Sequence, residues 1–256
     1  MNNITIVTAF YNFDKKKHSS SNYYNWIKNY LPNIDANMII FTDNNSYNFI
    51  LPFRKNLEHK TKIIILDLEK FYTYKYLDKW NNDILIDHER GYHSIQLYMI
   101  WNEKAHFLKY AININPFNTD YFIWTDIGMV REEYYIEHIK TFPNINKFQK
   151  KDKVYILNID NMISDNDYNI SIPTEKYRYV NCMGAGVIAG HKDILIDMID
   201  KYYLMLEEFI SNNFFAGKDQ SIYTNLCIKY KDLFEIIKPI QSPLNNDWFY
   251  MLYFFS

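Results

Sequence analysis

The sequence contains few of the residues that characterise secreted or membrane proteins. Among its 256 residues only Cys182 and Cys227 are cysteines, so no disulfide framework exists and reduced thiols are expected. No apolar run of about 18 residues occurs, so we predict no membrane span. The chain enters an apolar run at Ile4–Val7 without the features of a signal peptide, which predicts a cytoplasmic protein.

The net charge is small and glycine is scarce. The formal net charge is -2, which argues against a general nucleic-acid-binding protein. Six glycines occur, and none forms a dinucleotide-binding fingerprint after the first predicted strand, which disfavours a nicotinamide-dependent oxidoreductase. Kinase, Walker A, G-x-S-x-G and H-E-x-x-H signatures are absent. The enrichment in Asn, Ile, Lys and Tyr indicates an AT-rich genome, as in giant viruses and low-GC bacteria, and carries no functional information.

Short apolar runs alternate with helical patterns along the chain. Predicted strands are Ile4–Phe10, Asn37–Asp43, Thr61–Leu66, Tyr121–Thr125, Val154–Leu157 and Tyr179–Ala189. Predicted helices are Tyr23–Leu31, Tyr92–Ile112, Ile194–Ile210 and Asp219–Tyr230, and an aromatic tail over Pro239–Ser256 is expected to dock on the body. This alternation predicts an α/β fold in which helices flank a central, mostly parallel sheet. No linker or composition break appears, so residues 1–256 are predicted to form a single domain.

Polar groups follow three of the predicted strands, at Thr8–Tyr11, Thr42–Asp43 and Thr125–Asp126. If these strands are parallel neighbours, their carboxyl ends converge on one edge, where ligands of open α/β sheets bind. Asp126 ends a wholly apolar strand, and an isolated carboxylate there requires a cation or hydrogen-bond donors. A divalent metal that carries a nucleotide diphosphate satisfies this need and points to sugar transfer. The alternative is that Asp43 and Asp126 cap turns.

Two basic residues and one glycine near this strand are further candidates. Lys104, on the long helix, is a candidate contact to a phosphate or to the nucleotide base, or else a surface lysine. Arg131 is a second candidate for phosphate or acceptor binding, or else a surface residue. Gly128 would allow the backbone to approach phosphates closely.

The later part of the chain offers small residues and three polar ones. Gly184 and Gly186 either leave room for a sugar ring or mark a bulged strand. Asp219 is a candidate catalytic base or sugar-hydroxyl ligand, or else a helix N-cap, and Gln220 follows it. Asp247 is a candidate second metal ligand.

Several segments, in order, resemble the HtrL/YibB family of glycosyltransferases over about half of the chain. They are Ile4–Tyr11, Met38–Asp43, Trp101–Lys104, Asn115–Phe117 with Thr119 and Asp120, and Phe122–Gly128 with Arg131. Further along, the Gly184–Gly186 strand and the Asp219–Gln220 helix start are similar to glycogenin-like enzymes.

The resemblance implies a GT-A-like, Rossmann-like fold with a nucleotide-binding half (residues 1–131) and a half for acceptor and donor sugar (residues 132–256). It implies a UDP-sugar donor and manganese or magnesium. Thr8, Ala9, Phe10, Tyr11 and Asp43 would face the nucleoside. Lys104 would face the donor, while Gly184, Gly186, Asp219 and Gln220 would reach its sugar. Asp126 would be the first acid of a two-acid metal motif.

Gly128 occupies the position of the second acid in this sequence. Either another ligand, for which we nominate Asp247, completes the metal site, or the metal is held weakly, or it is absent. The expected activity is metal-dependent transfer of a hexose, glucose or galactose, to a glycan or glycosylated protein, collagen-like proteins included. The alternative is a catalytically silent module that binds nucleotide-sugars or sugars. Inverting chemistry with Asp219 as base and retaining chemistry beside Gln220 are both open, and so is the oligomeric state.

Overall fold

Strands from both ends of the chain join in one central sheet. The computed structural model describes residues 3–13, 17–159 and 182–256. The strands in these ranges are β1 Ile4–Phe10, β2 Asn37–Thr42, β3 Thr61–Ile65, β4 Tyr121–Thr125, β5 Val154–Asn158, β6 Met183–His191 and β7 Phe234–Ile237. Their order is β3-β2-β1-β4-β6-β5-β7. The first four are parallel, β6 is antiparallel to β4 and β5, and β5 pairs in parallel with β7.

Helices cover both faces of this sheet. They are α1 Ser20–Tyr30, α2 Asn44–Ile50, α3 Leu77–Ile86, α4 Ile95–Ile114, α5 Tyr135–His138, α6 Lys192–Ser211, α7 Asp219–Lys229 and α8 Tyr250–Phe254. The long helix α4 begins where the Ser94 hydroxyl accepts a hydrogen bond from the Leu97 amide, and it ends at Asn115, whose φ of 30° lies in the left-handed region. Within the described ranges, no helix combines the length and the apolar character that a bilayer crossing demands.

The alternating side chains of the central strands build a hydrophobic core on each face. Val7 of β1 and Trp124 of β4 belong to the core formed with α3, α4, α6 and α7. Ile6 and Ile123 point the other way, into the core formed with α1, α2, α5 and α8. Helices therefore bury both faces, as the near-continuous apolar runs of the parallel strands require.

The predicted fold class, an α/β protein with a mostly parallel central sheet flanked by helices, is confirmed. The docked tail is also confirmed, since residues 249–252 and Phe255 are buried. Helix α3 and the four-residue strand β7 were not predicted, because neither displays a sustained apolar period. The start of the strand predicted over Tyr179–Ala189 lies outside the described residues.

A buried arginine fastens the connection between α1 and β2. Arg54 is 1% exposed, and its guanidinium donates to the carbonyls of Leu31 (2.7 Å), Ile34 (2.8 Å) and Ala36 (2.9 Å). Its Nε atom donates to the Thr61 hydroxyl at 2.9 Å. The planar group thus donates to three backbone carbonyls at once, and the Ile34 carbonyl accepts a second hydrogen bond from the Ala36 amide at 3.0 Å.

We predict that Arg54→Lys destabilises the protein by about 2–4 kcal/mol, because an ammonium cannot reproduce the fork and leaves buried carbonyls unpaired. Urea denaturation measures the change. The matched control is Arg90→Lys at an exposed position, where a change within about 0.5 kcal/mol is expected. Equal losses in the two variants would contradict this role for Arg54.

Candidate functional site

A cleft opens at the carboxyl ends of β1 and β4. It consists of a cavity of about 400 Å³ and an adjoining inner pocket of about 120 Å³. Both are lined by Tyr23, Leu97, Trp101, Lys104, Asp126, Arg131, Trp248 and Phe249. Because β6 is antiparallel, its amino end meets the carboxyl end of β4 here. The volume is in the range of small-molecule sites, and the location is where open α/β sheets bind ligands.

A lysine lies at the base of the cleft between two carboxylates. The Lys104 ammonium is 3.0 Å from Asp126 Oδ1 and 2.9 Å from Asp219 Oδ2, and it donates a hydrogen bond to the Ala185 carbonyl at 3.2 Å. The ammonium has three N–H donors and three close oxygens, so it is saturated by the protein. Lys104 is therefore buried and paired, and its interpretation as a surface lysine is wrong.

Burial shifts the pKa of Lys104 and the pKa of Asp219, the two enclosed members of this cluster, in opposite directions. Burial lowers the pKa of Lys104, but Asp126 and Asp219 outweigh it and raise that pKa. Burial also raises the pKa of Asp219, although the nearby Lys104 opposes the shift. Asp219 is the first residue of α7 and does not cap it. Its carboxylate is occupied as the partner of Lys104, which leaves it poorly placed to accept a proton from a ligand.

Asp126 has one engaged oxygen and one open oxygen. Its Oδ1 accepts a hydrogen bond from the Trp124 indole at 2.9 Å, in addition to the contact with Lys104. Its Oδ2 makes no hydrogen bond within the described part of the chain and is not enclosed, and the side chain is 39% exposed. The loop position is fixed by the Asp126 amide, which donates to the Gly186 carbonyl at 2.8 Å. Asp126 thus offers one carboxylate oxygen to the cleft.

This donor set does not form a resident metal site. Residues 3–13, 17–159 and 182–256 contain no group of three His, Cys, Asp or Glu side chains that could hold a metal ion. Asp247 is exposed at the start of a 3₁₀ turn, and it is not among the residues that line the cleft. A single open oxygen suits a cation that is bound jointly with the phosphates of a ligand, as magnesium commonly is.

An arginine in the cleft has aromatic neighbours and no anionic partner. The guanidinium carbon of Arg131 is 4.4 Å from the centre of the Trp26 ring and 5.1 Å from that of Phe249. Within the described residues it forms no hydrogen bond or ion pair, and its Nε atom is enclosed. Its terminal amino groups are not enclosed. The aromatic contacts hold the planar group by cation–π attraction and leave its outer donors open.

Glycine at position 128 makes room for the arginine's aromatic support. A Cβ atom there would lie 2.9 Å from Cε3 of Trp26, closer than carbon atoms approach in proteins. The ring therefore occupies the space into which a side chain at this position would extend. Gly128 thus has a packing reason in addition to its predicted closeness to a ligand.

The glycines of β6 accompany a bulge. The pairing with β5 shifts between Ile156↔Ile188 and Leu157↔Gly184. The residues of β6 between Gly184 and Ile188 therefore have no partner in β5 and form a bulge. Ala185 and Gly186 in this bulge line the cleft, whereas Gly184 packs against Leu157 and Ile159. The bulge aims the Ala185 carbonyl at Lys104.

Most of the predicted site residues meet in the cleft. Those that line it are Ala9, Phe10, Tyr11, Lys104, Asp126, Gly128, Gly186, Asp219 and Gln220. Thr8 is fully buried in β1 and is not a lining residue. Asp43 is also absent from the lining, and its carboxylate caps α2 by accepting a hydrogen bond from the Ser46 amide at 2.7 Å. The structure therefore brings together both acids, the lysine and the end of β1.

Sequence reasoning missed part of the aromatic wall and two histidines. Trp26 and Phe249 come from distant parts of the chain, and the general abundance of aromatics hid them. His18 lines the larger cavity. His93 lines the cleft without any ligand spacing in sequence. Arg131 was singled out by its position shortly after Gly128 and by the family resemblance, and in the structure it lines the cleft.

The site and fold together define an α/β protein with a charged, aromatic ligand cleft. The sequence profile of HtrL_YibB, described as "Bacterial protein of unknown function (HtrL_YibB)", matches residues 2–256. The chain therefore belongs to the HtrL_YibB family, as the sequence resemblance predicted. No curated protein matches it.

Many solved structures resemble this chain, among them the following two. Apo xyloside xylosyltransferase 1 from mouse is 13% identical, with a TM-score of 0.48, over 91% of this chain and 84% of that one. The 4-diphosphocytidyl-2C-methyl-D-erythritol synthase of Anaerococcus prevotii DSM 20548 is 11% identical, with a TM-score of 0.39, over 96% and 94% of the two chains. At these TM-scores neither likeness supports an argument about the cleft.

We predict that Lys104→Met destabilises the protein by about 3–5 kcal/mol at neutral pH, since it leaves the buried Asp219 without a cation. Because burial already raises the pKa of Asp219, loss of the ammonium raises it further. A raised folded-state pKa contributes stability that is present below the unfolded value of 3.8 and lost as the pH rises. The deficit should therefore be smaller near about pH 4 than at neutral pH.

Urea denaturation at both pH values measures this deficit. The matched control is Lys109→Met on the same helix, which removes a surface pair with Asp200 (2.6 Å) and should change stability by about 0–1 kcal/mol. A pH-independent deficit, or one no larger than in the control, would argue against a buried ion cluster.

Proposed function

We propose that this protein is a glycosyltransferase of GT-A-like architecture that uses a nucleotide-sugar. The observation that carries the proposal is Arg131, a guanidinium without an anionic partner among the described residues, fixed in a cleft of suitable volume. The proposed donor is a UDP-hexose, with glucose or galactose as the sugar. The proposed acceptor is a glycan or a glycosylated protein, collagen-like proteins included.

The diphosphate is assigned to Arg131. A half-buried guanidinium needs an anion, and its planar donors match phosphate oxygens in a bidentate manner. Lys104 is less suited to direct phosphate binding, since the protein already surrounds its ammonium with three oxygens. Its role in the proposal is to keep Asp126 and Asp219 in place beside the donor.

The inner pocket is assigned to the nucleoside. Aromatic side chains line it, among them Phe10, Tyr11 and Trp101. Tyr11 is held in place by its hydroxyl, which donates to the Leu66 carbonyl at 2.9 Å. Burial raises the pKa of Tyr11, so this phenol stays neutral and keeps its donor proton. A flat base of the size of uracil suits such a wall by stacking.

The sugar is assigned to the region between Asp126 and the start of α7. Here Ala185 and Gly186 line the cleft with backbone rather than large side chains, which leaves room for a sugar ring. Gln220 lines the same region, and its side-chain amide donates to the Met183 carbonyl at 3.1 Å. This hydrogen bond fixes the orientation of Gln220 relative to β6.

Manganese or magnesium stays part of the proposal. The open Oδ2 of Asp126 is the oxygen that would hold the ion together with the donor's phosphates. When bound, the ion would neutralise charge that develops on the diphosphate leaving group.

We predict that UDP with manganese stabilises the protein, whereas manganese alone does not, because the described residues lack a complete set of metal ligands. At a hundred times its Kd, UDP should add about 2.7 kcal/mol to the free energy of unfolding. Thermal denaturation measures the shift. UMP with manganese is the control for the second phosphate and should act more weakly. No shift with UDP and manganese together would refute nucleotide-sugar binding.

We also predict that Arg131→Lys lowers the affinity for UDP by about tenfold or more, since lysine retains the charge but not the stacked, forked donor group. Isothermal titration calorimetry with manganese present measures the affinity. Arg90→Lys, outside the cleft, serves as the control and should bind UDP as the unmodified protein does. An unchanged affinity for UDP in Arg131→Lys would contradict the assignment of the phosphate to Arg131.

Turnover is tested by a screen of UDP-sugars for hydrolysis, with and without manganese. Release of UDP from one UDP-hexose supports the transferase. UDP binding without release, across the sugar panel and a broad set of acceptor glycans, would instead favour the catalytically silent binding module.

A further inference from the structure

The loop between α3 and α4 brings a histidine and an aspartate together at the cleft. His93 Nδ1 lies 2.7 Å from Asp87 Oδ2, and both side chains are buried. The Asp87 carboxylate also accepts hydrogen bonds from the Tyr98 hydroxyl and, at 2.8 Å, from the Glu89 amide. Burial disfavours ionisation of Asp87, but these hydrogen bonds outweigh it and lower its pKa. Because an ionised carboxylate can only accept hydrogen bonds, His93 Nδ1 carries a proton and donates it to Asp87.

This arrangement leaves Nε2 as the basic atom of His93. Within the described part of the chain Nε2 makes no hydrogen bond, and it is not enclosed by protein. His93 lines the larger cavity together with Lys104, Asp219 and Gln220. The Trp101 ring meets the imidazole edge-on, with centroids 5.0 Å apart, and limits its rotation. The ring is thus held in one tautomer and one orientation against the cavity.

Charged and titratable groups lie around His93. Asp87 and Glu89 face the ring from its own loop, and Tyr98 faces it from α4. Lys218, which precedes α7, forms an ion pair with Glu89. Asp87 is thus the charged group closest to the imidazole.

Other proton acceptors in the cleft are less suitable. Asp219 is paired with Lys104. His18 also lines the cavity, but its ring packs against Trp26, and burial together with Arg131 and Lys17 lowers its pKa. Those positive charges oppose an imidazolium at His18.

We infer that His93, oriented by Asp87, is the general base that activates the acceptor hydroxyl. The inference rests on the proposed function. The acceptor oxygen forms a bond to the anomeric carbon of the donor sugar and gives its proton to His93 Nε2. The bond from that carbon to the phosphate oxygen breaks, and its electron pair leaves with the nucleoside diphosphate. Direct attack of this kind inverts the anomeric configuration. His93 is the catalytic residue in this step, and Asp87 is a positioning residue.

The test uses hydrolysis of UDP-glucose and UDP-galactose, in which water takes the place of the acceptor. His93→Gln should lower kcat by about 10²- to 10⁴-fold and leave the thermal shift with UDP and manganese unchanged. In the unmodified protein kcat should fall as the pH is lowered and the imidazole is protonated, and His93→Gln should lose this limb. Asp87→Asn should lower kcat and shift the pH at which kcat falls. His106→Gln, at a partly buried histidine outside the cleft, should behave as the unmodified protein.

Proton NMR of the first released hexose gives an independent readout, and inversion is expected. Retained configuration, or a kcat of His93→Gln within about twofold of normal with the same pH profile, overturns the inference and leaves the proposed function intact. UDP binding without hydrolysis in the unmodified protein also overturns it. Absence of UDP binding is a different result, since it removes the proposed function itself.

Discussion

The buried ammonium of Lys104 is the constraint on which this structure depends. A charge that is almost completely removed from water is tolerated only beside opposite charge and hydrogen-bond acceptors. Three elements supply these neighbours to the lysine of α4: β4 and α7 bring Asp126 and Asp219, and the bulge of β6 brings the Ala185 carbonyl. The edge of the sheet is therefore assembled around one cation, and the cleft takes its shape from that assembly.

The cleft contains two cations in opposite electrostatic states. Lys104 is compensated by the protein itself, whereas Arg131 rests on aromatic rings and has no anion of its own among the described residues. The first arrangement stabilises the fold, and the second leaves guanidinium donors open to the cleft. An anion that enters the cleft is thus directed to Arg131 by charge and need not disrupt the core to bind. This separation lets the site be rigid and still receptive.

The sequence predicted site residues that lie directly after a strand, and it did not predict those that are brought together only by tertiary packing. Asp126 was predicted because an apolar strand ends at it, and parallel pairing of β1 with β4 placed the end of β1 beside it. The pairing of Asp87 with His93 was not predicted, since a histidine without metal-ligand spacing gives no signal by itself. The support of Arg131 by Trp26 was also hidden, because contacts across about a hundred positions leave no local pattern.

Gly128 links two features of the cleft in a way that restricts its evolution. The Trp26 ring fills the space beside this glycine and also supports Arg131. An aspartate at position 128 would displace the ring, and the arginine would lose its platform in the same step. A second acid and an aromatic-supported arginine are therefore alternatives within this backbone, and a mutational path from one to the other must change both positions together.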